Sequence, residues 1–217
     1  NGRDEVLLDK PLNEDDVRRE LACYYAVVTH MDEQIGRIFS ALDEAGETGN
    51  TLVIFTTDQG LAMGSHGLMG KQNMYEHTLG VPFIMAGLSV PVGKQFAAQC
   101  YLRDVFPTAC DLAGIAIPDT VQGKSLMPVL LGKADQLYSF VVACFTDTQR
   151  MIRDEQWKFI RYQKAKQSQL FDLKDDPLEL RNLADDPAHQ QTRNKLDAAL
   201  TLWLRENGDP YLESRER

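Results

Sequence analysis

Apolar residues recur at intervals of three and four along residues 13 to 45, at Leu21, Tyr24, Tyr25, Val28, Met31, Ile35, Ile38 and Leu42. That spacing puts them on one face of a helix and predicts a long helix with a buried stripe. Asn13 supplies an N-cap, and Glu14, Asp15 and Asp16 place negative charge where the helix dipole favours it. Gly46 and Gly49 close the run. Next comes Leu52-Val53-Ile54-Phe55-Thr56-Thr57, flanked by Asn50 and by Asp58-Gln59-Gly60. A short apolar and β-branched run between turn residues predicts a strand buried on both faces, as in a parallel sheet. A helix feeding such a strand is half of a βαβ unit, so an α/β architecture is expected.

From Asp58 to Gly80 the periodicity disappears, and Gly60, Gly64, Gly67, Gly70 and Gly80 punctuate a polar stretch that holds His66 and His77. Long loops inside compact domains are usually functional. Val81 to Met85 resumes as a strand with Pro82 at its start, where a missing N–H is tolerated. Leu102, Val105, Phe106, Ala109 and Leu112 predict a second amphipathic helix over 101–114, ended by Gly114 and kinked by Pro107. After Gly132 the texture changes. Tyr138–Phe145, Gln149–Arg153, Trp157–Tyr162 and Gln169–Leu173 are short strand-like runs separated by polar turns, which predicts an antiparallel meander. Asp185-Asp186-Pro187 opens a last helix from about Pro187 to Glu206. The expected fold class is therefore α/β, with a small C-terminal antiparallel sheet and a terminal helix. The expected division is residues 1–135 for the α/β part and 136–217 for the C-terminal subdomain.

Charge and composition narrow the function. The chain has 217 residues, with 23 Lys and Arg against 32 Asp and Glu, and a formal net charge of −9. Such an acidic balance argues against an electrostatic grip on nucleic acid or an anionic membrane, and confines any anionic substrate to a local positive focus. No apolar run reaches the length of a bilayer-spanning helix, and no apolar h-region follows Asn1-Gly2-Arg3-Asp4-Glu5, so no signal peptide is expected there. Cys23, Cys100, Cys110 and Cys144 lie far apart without a C-x-x-C pair, which excludes a zinc ribbon or a thioredoxin-type motif. Buried or half-buried thiols are expected, and a chain this long needs no disulfide.

Asp58 and Gln59 fall immediately beyond the carboxyl end of the predicted parallel strand, where α/β folds place their ligands. A carboxylate beside an amide carbonyl offers two hard oxygen donors, suited to Ca²⁺ or Mg²⁺ rather than zinc. Gly60 is expected to let the backbone turn away sharply. Taken singly, an Asp-Gln-Gly also suits a capped turn, and Lys71 in a glycine-rich loop a solvated charge. His66 and His77 could serve as bases, or as rim and structural residues.

The ordered landmarks go further together. Tyr24-Tyr25-Ala26, Met31-Asp32-Glu33-Gln34-Ile35-Gly36, Phe55-Thr56-Thr57-Asp58-Gln59-Gly60, His66-Gly67, Lys71, Met74-Tyr75-Glu76 and Val81-Pro82 stand in sequence. Asp104-Val105-Phe106-Pro107-Thr108, Gly123-Lys124-Ser125-Leu126, Leu170-Phe171-Asp172-Leu173, Asp176-Pro177 and Asn182-Leu183-Ala184 follow. From about residue 13 to 206 this set resembles the sulfatases of the alkaline-phosphatase-like superfamily. The resemblance implies a mixed or parallel sheet flanked by helices. It implies that Asp58 and Gln59 are two ligands of a divalent cation, usually Ca²⁺ with Mg²⁺ as the alternative, that Lys71 binds a sulfate oxygen, and that His66 lines the site. Gln59 stands where many members carry Asn or His, and it keeps a carbonyl donor. His30, His77 and His189 are left as structural.

The family's nucleophile is a formylglycine made from Cys or Ser within C/S-x-P/A-x-R. No cysteine here has arginine four residues on, since Val27, Asp104, Gly114 and Thr148 stand there, and no serine fits. The paired aspartates that complete the family's cation site are also not found. The chain therefore reads as the C-terminal portion of a sulfatase, with the formylglycine in a missing N-terminal half that is also its partner. The implied substrate is a sulfate ester of a small molecule or saccharide, and the segment alone is expected to be inactive. The alternatives are a phosphonate monoester hydrolase or phosphodiesterase of the same superfamily, or a non-catalytic fragment. Family habit favours export to the periplasm or beyond, and the cysteines leave the compartment open.

Overall fold

In the computed structural model, residue 8 and residues 11–210 are described, so the predicted reading of Asn1–Glu5 and the outer ends of both predicted domains lie outside them. Helix α1 spans Glu14–Glu44, and Asn13 Oδ1 accepts from the Asp15 N–H at 2.8 Å as the expected cap. At the far end Gly46 adopts φ 72°. Its N–H donates to Asp43 O at 2.9 Å and the Glu47 N–H to Leu42 O at 3.1 Å, the paired closing bonds that a left-handed glycine permits. The expected burial of the stripe does not follow: no residue of α1 is buried, and Tyr25 and Ile38 are 61% and 65% exposed. The repeat made a helix, and the described residues half-bury Leu21, Ile35 and Leu42 and leave the rest of the stripe exposed.

Strand β1 is Val53–Thr56. Helix α2 (Glu76–Leu79) leads into strand β2 (Phe83–Ala86), which pairs with β1 from Val53↔Ala86 to Thr56↔Phe83. The pairing is antiparallel and the two strands form a sheet of their own, so the expected parallel neighbour and two-sided burial are not observed. An all-apolar run carries no record of the direction of its neighbour. Phe55 and Ile84 remain exposed.

Helix α3 (Val105–Ala113) begins after a 3₁₀ turn at Leu102–Asp104 and ends at Gly114, with φ 67°. Pro107 is its third residue, in the first turn, where N–H groups have no acceptor four residues back; the anticipated kink is replaced by a helix start. Helix α4 (Met127–Leu130) is tied to α3 through Thr108, whose hydroxyl donates to Asp104 O at 2.6 Å and accepts the Leu126 N–H at 2.8 Å. The buried Asp104 carboxylate accepts from the Tyr101 and Lys124 N–H groups and the Tyr138 hydroxyl, at 2.7, 2.8 and 2.7 Å. Burial first, and the neighbouring carboxylate next, hold the Tyr138 phenol above its ordinary value.

Strands β3 (Val141–Phe145), β4 (Gln149–Arg153), β5 (Trp157–Tyr162) and β6 (Gln167–Asp172) form the expected antiparallel meander in chain order. Helix α5 (Gln190–Glu206) follows a 3₁₀ turn capped by Asp186, whose Oδ1 accepts the Ala188 N–H at 2.9 Å. Side chains alternate across this sheet and both faces are covered. Ile152, Phe159 and Leu170 pack with Leu196, Leu200 and Leu204 of α5, whereas Met151, Ile160 and Phe171 pack with Met74, Tyr75 and Leu79. The loop carrying the candidate chemistry thus roofs the face opposite α5. All four cysteines are free; Cys110 is buried and Cys100 half-buried, but Cys23 and Cys144 are exposed, against expectation. Among the described residues no helix is long and apolar enough to cross a membrane.

Candidate functional site

The loop after β1 folds back on itself. The Ala62, Met63 and Gly64 N–H groups donate to Gly70, Met69 and Leu68 carbonyls at 3.1, 3.3 and 2.7 Å. The fold-back thus sets Gly70, the residue before Lys71, against Ala62, three residues past Gln59. The Gly60 N–H donates to Thr78 O at 2.8 Å, which draws the far end of the loop to the same place. Gly60 owes its identity to close approach: a Cβ there would stand 2.0 Å from the His77 carbonyl oxygen, and its φ is not left-handed. The sharp turn expected of it lies further on, where Met63, Gly64, His66 and Gly67 have φ of 48°, 99°, 55° and 67°. Non-glycine residues in that region are strained, and such strain gathers at functional loops.

Asp58 is exposed at the tip of β1, and its Oδ1 accepts from the Thr57 hydroxyl at 3.3 Å. Gln59 beside it is half-buried, and Lys71 is exposed. The donor set at the tip is one carboxylate and one amide oxygen, with no sulfur or nitrogen donor between them. Two hard oxygens fit part of a Ca²⁺ or Mg²⁺ shell, and Ca²⁺ takes about 6–8. Among the described residues no group of three or more His, Cys, Asp or Glu gathers to hold a metal.

His66 faces the C-terminal part of the chain. Its Nε2 stands 3.1 Å from Leu178 O, and a carbonyl only accepts, so this nitrogen carries the proton. Its ring lies flat on Tyr75, 3.9 Å between centroids and 5° from parallel.

A buried charge cluster anchors the loop's far end. Lys158 of β5 is fully buried; its Nζ lies 2.6 Å from Glu76 Oε1 and 2.7 Å from Glu179 Oε1, and donates to Met74 O at 3.1 Å. Arg153 meets Glu76 Oε2 at 2.6 Å, and Glu179 Oε2 accepts the Glu76 N–H at 2.6 Å. Burial alone would raise the Glu76 carboxyl; the Lys158 ammonium and Arg153 guanidinium outweigh it and hold the group below its ordinary value. His77 is lowered to about 4, by burial first and then by His66 and Lys158. Its Nε2 is buried without a hydrogen-bond partner among the described residues.

Glu76 was visible in the sequence as part of a motif, without a role. Arg153, Lys158 and Glu179 carried no local signal, because their partners lie 77, 82 and 103 positions away in the chain.

Solved structures place this fold among alkaline-phosphatase-like α/β proteins. The chain superposes on a 2-O GAG sulfatase with a TM-score of 0.81 at 29% identity, covering 93% of this chain and 46% of that one. A structure in complex with its substrate D-glucosamine-2-N,6-O-disulfate gives 0.80 at 27%, covering 87% and 41%. The phosphonate monoester hydrolase of Agrobacterium radiobacter gives 0.78 at 27%, covering 91% and 43%. The profile of the N-sulphoglucosamine sulphohydrolase C-terminal region matches residues 64–206, and the sulfatase profile matches residues 5–115. The chain belongs to the sulfatase family. An arylsulfatase of Clostridium perfringens is 32% identical over 99% of this chain and 44% of its own length. A Delta 4,5-hexuronate-2-O-sulfatase of Bacteroides thetaiotaomicron is 31% identical over 92% and 44%. The chain thus spans less than half the length of these curated relatives.

Proposed function

We propose that this chain is the C-terminal portion of a sulfatase that hydrolyses a sulfate ester of a sugar. Asp58 and Gln59 would supply two oxygen ligands to Ca²⁺, or to Mg²⁺ in its place, and Lys71 would bind a non-bridging sulfate oxygen. The cation, when bound, would draw negative charge off the sulfuryl oxygens as the ester bond breaks. The Lys71 ammonium would act on the same charge from the other arm of the folded-back loop. His66, fixed by Leu178 and Tyr75, would line the site rather than relay a proton through Nε2. The formylglycine and the remaining cation ligands would come from an N-terminal portion, which would also cover the bare stripe of α1. Without it the 217 residues would not turn over.

The observation that carries this is the folded-back loop, whose Ala62–Gly70 bond joins the residue before Lys71 to the third residue past Gln59. Replacing Lys71 by Ala in the protein that carries the formylglycine should lower kcat/KM for a sulfated sugar by about 10²–10³-fold, the usual cost of one preorganised charge partner. Undiminished turnover would remove Lys71 from the role. A second reading is favoured by the likeness to a phosphonate monoester hydrolase. Parallel assays on an aryl sulfate and a phenylphosphonate monoester separate the two, and faster turnover of the phosphonate would displace the sulfatase assignment.

A further inference from the structure

The hairpin turn between β5 and β6 faces α5 across a cleft of about 700 Å³. Arg161, Lys164, Lys166 and Arg193 line it against Asp147 and Asp197, in a chain whose net charge is −9. Two of the cations are matched: Arg161 Nε donates to Asp197 Oδ1 at 3.0 Å, and Lys164 Nζ lies 2.8 Å from Asp147 Oδ2. Lys166 and Arg193 form no ion pair among the described residues, and the Arg193 guanidinium meets only the neutral Gln190 Oε1, at 3.3 Å. Deeper in, Arg161 is 7% exposed, and its Nη1 is buried with no hydrogen-bond partner among the described residues. A guanidinium N–H left in that state is an unmet donor, and its planar fork suits an oxyanion.

A second cavity of about 460 Å³ shares Tyr162, Lys166, Gln167, Ser168 and Arg193 with the first. It runs past Gln169 and Asn182 to Tyr75, with one carboxylate, Asp185, on its wall. Tyr75 is the ring on which His66 stacks, so the two cavities make a groove that ends at the Tyr75 ring beside His66. Amides and hydroxyls along such a groove suit sugar hydroxyl groups, and the cations at its far end suit an acidic substituent.

We propose that this groove is a second anion-binding site, holding a remote sulfate or carboxylate group of an acidic oligosaccharide whose reacting sulfate ester lies at Lys71. The proposal rests on the sulfatase reading for the reacting end only. An acidic chain approaching a molecule of like net charge needs a local positive focus to dock, and Lys166 and Arg193 supply one away from the reacting group. Both sit on solvent-facing segments, so their removal leaves the core of the sheet unaltered.

Calorimetric titration of the protein that carries the formylglycine with fully sulfated maltotetraose, unsulfated maltotetraose and inorganic sulfate tests this at low ionic strength. The sulfated tetrasaccharide should bind at least tenfold more tightly than either other probe, and added salt should erode the difference. The double substitution Lys166→Gln and Arg193→Gln should weaken its binding at least tenfold at an unchanged unfolding midpoint. Equal affinity of this variant and the unaltered chain would overturn the proposal, as would no binding of the sulfated probe. Lys71→Ala provides the separation: a loss there with none in the double variant overturns the groove and keeps the reacting site. A loss in the double variant with Lys71→Ala inert to both binding and turnover keeps the groove and overturns the reacting site.

Discussion

Helices α1 and α5 carry the same kind of apolar stripe and meet opposite fates. In α5, Leu196, Leu200 and Leu204 are at most 1% exposed, locked against Ile152, Phe159 and Leu170 of the sheet. In α1, nearly twice as long at 31 residues against 17, no residue is buried. Spacing at three and four states that a face is meant to be covered; it does not state that the same stretch of chain covers it. The C-terminal sheet is the self-sufficient region, roofed by α5 on one face and by the Met74–Leu79 segment on the other. The α1 and β1–β2 region is the dependent one, and its bare apolar face is where the proposed N-terminal portion would sit.

The contrast can be broken at its strongest point by Lys158→Met. This removes the ammonium that lies between the Glu76 and Glu179 carboxylates, and should cost about 3–5 kcal/mol because the buried Glu179 carboxylate loses its ion-pair partner, while Glu76 keeps Arg153. Both tryptophans, Trp157 and Trp203, pack against the sheet–α5 core, so their fluorescence in a urea titration reports on this region alone. An unchanged midpoint would mean that the charge cluster is not what holds the loop to the sheet.

A sharper comparison pairs Leu200→Ala with Val28→Ala. The first empties a fully buried site and should cost about 2–5 kcal/mol; the second alters a 38% exposed position and should stay within about 0.5 kcal/mol. Equal losses would erase the distinction between the two helices.

The smallest effect is set by pH. In the fold His77 is held to about 4 from an ordinary 6.5, so it stays neutral where an unfolded chain takes up a proton. Its contribution is fully present above pH 6.5, declines as pH falls toward about 4, and then levels off. Glu76, held low, keeps its contribution above its ordinary value of 4.5 and loses it only on further acidification. Urea midpoints that fall between pH 6.5 and 5 and flatten in His77→Gln meet the expectation; a flat profile in the unaltered chain contradicts it.

Much of this was legible in advance. Asn13 and Gly46 end α1 as local chemistry dictates, and the four C-terminal strands lie within a few residues of their predicted positions. The stretch from Asp58 to Lys71 stood out because its periodicity failed among many glycines. What stayed hidden was pairwise and distant. The direction of β2 against β1, the first-turn place of Pro107, and the meeting of Lys158 with Glu76 and Glu179 depend on which segment lies opposite.

By itself, the order of residues determined the three long helices, the strands, their caps and turns, and the family, since each follows from contacts within a few positions or from a fixed succession of motifs; the short helices α2 and α4 it left unmarked. Tertiary structure alone decided that the loop of His66 and Lys71 roofs the C-terminal sheet, that Gly60 is glycine because the His77 carbonyl presses on it, and that basic residues of β5, its turn and α5 converge on one groove. The reason is physical: burial, charge pairing and close approach are properties of pairs of segments, and the chain brings those pairs together only when it folds.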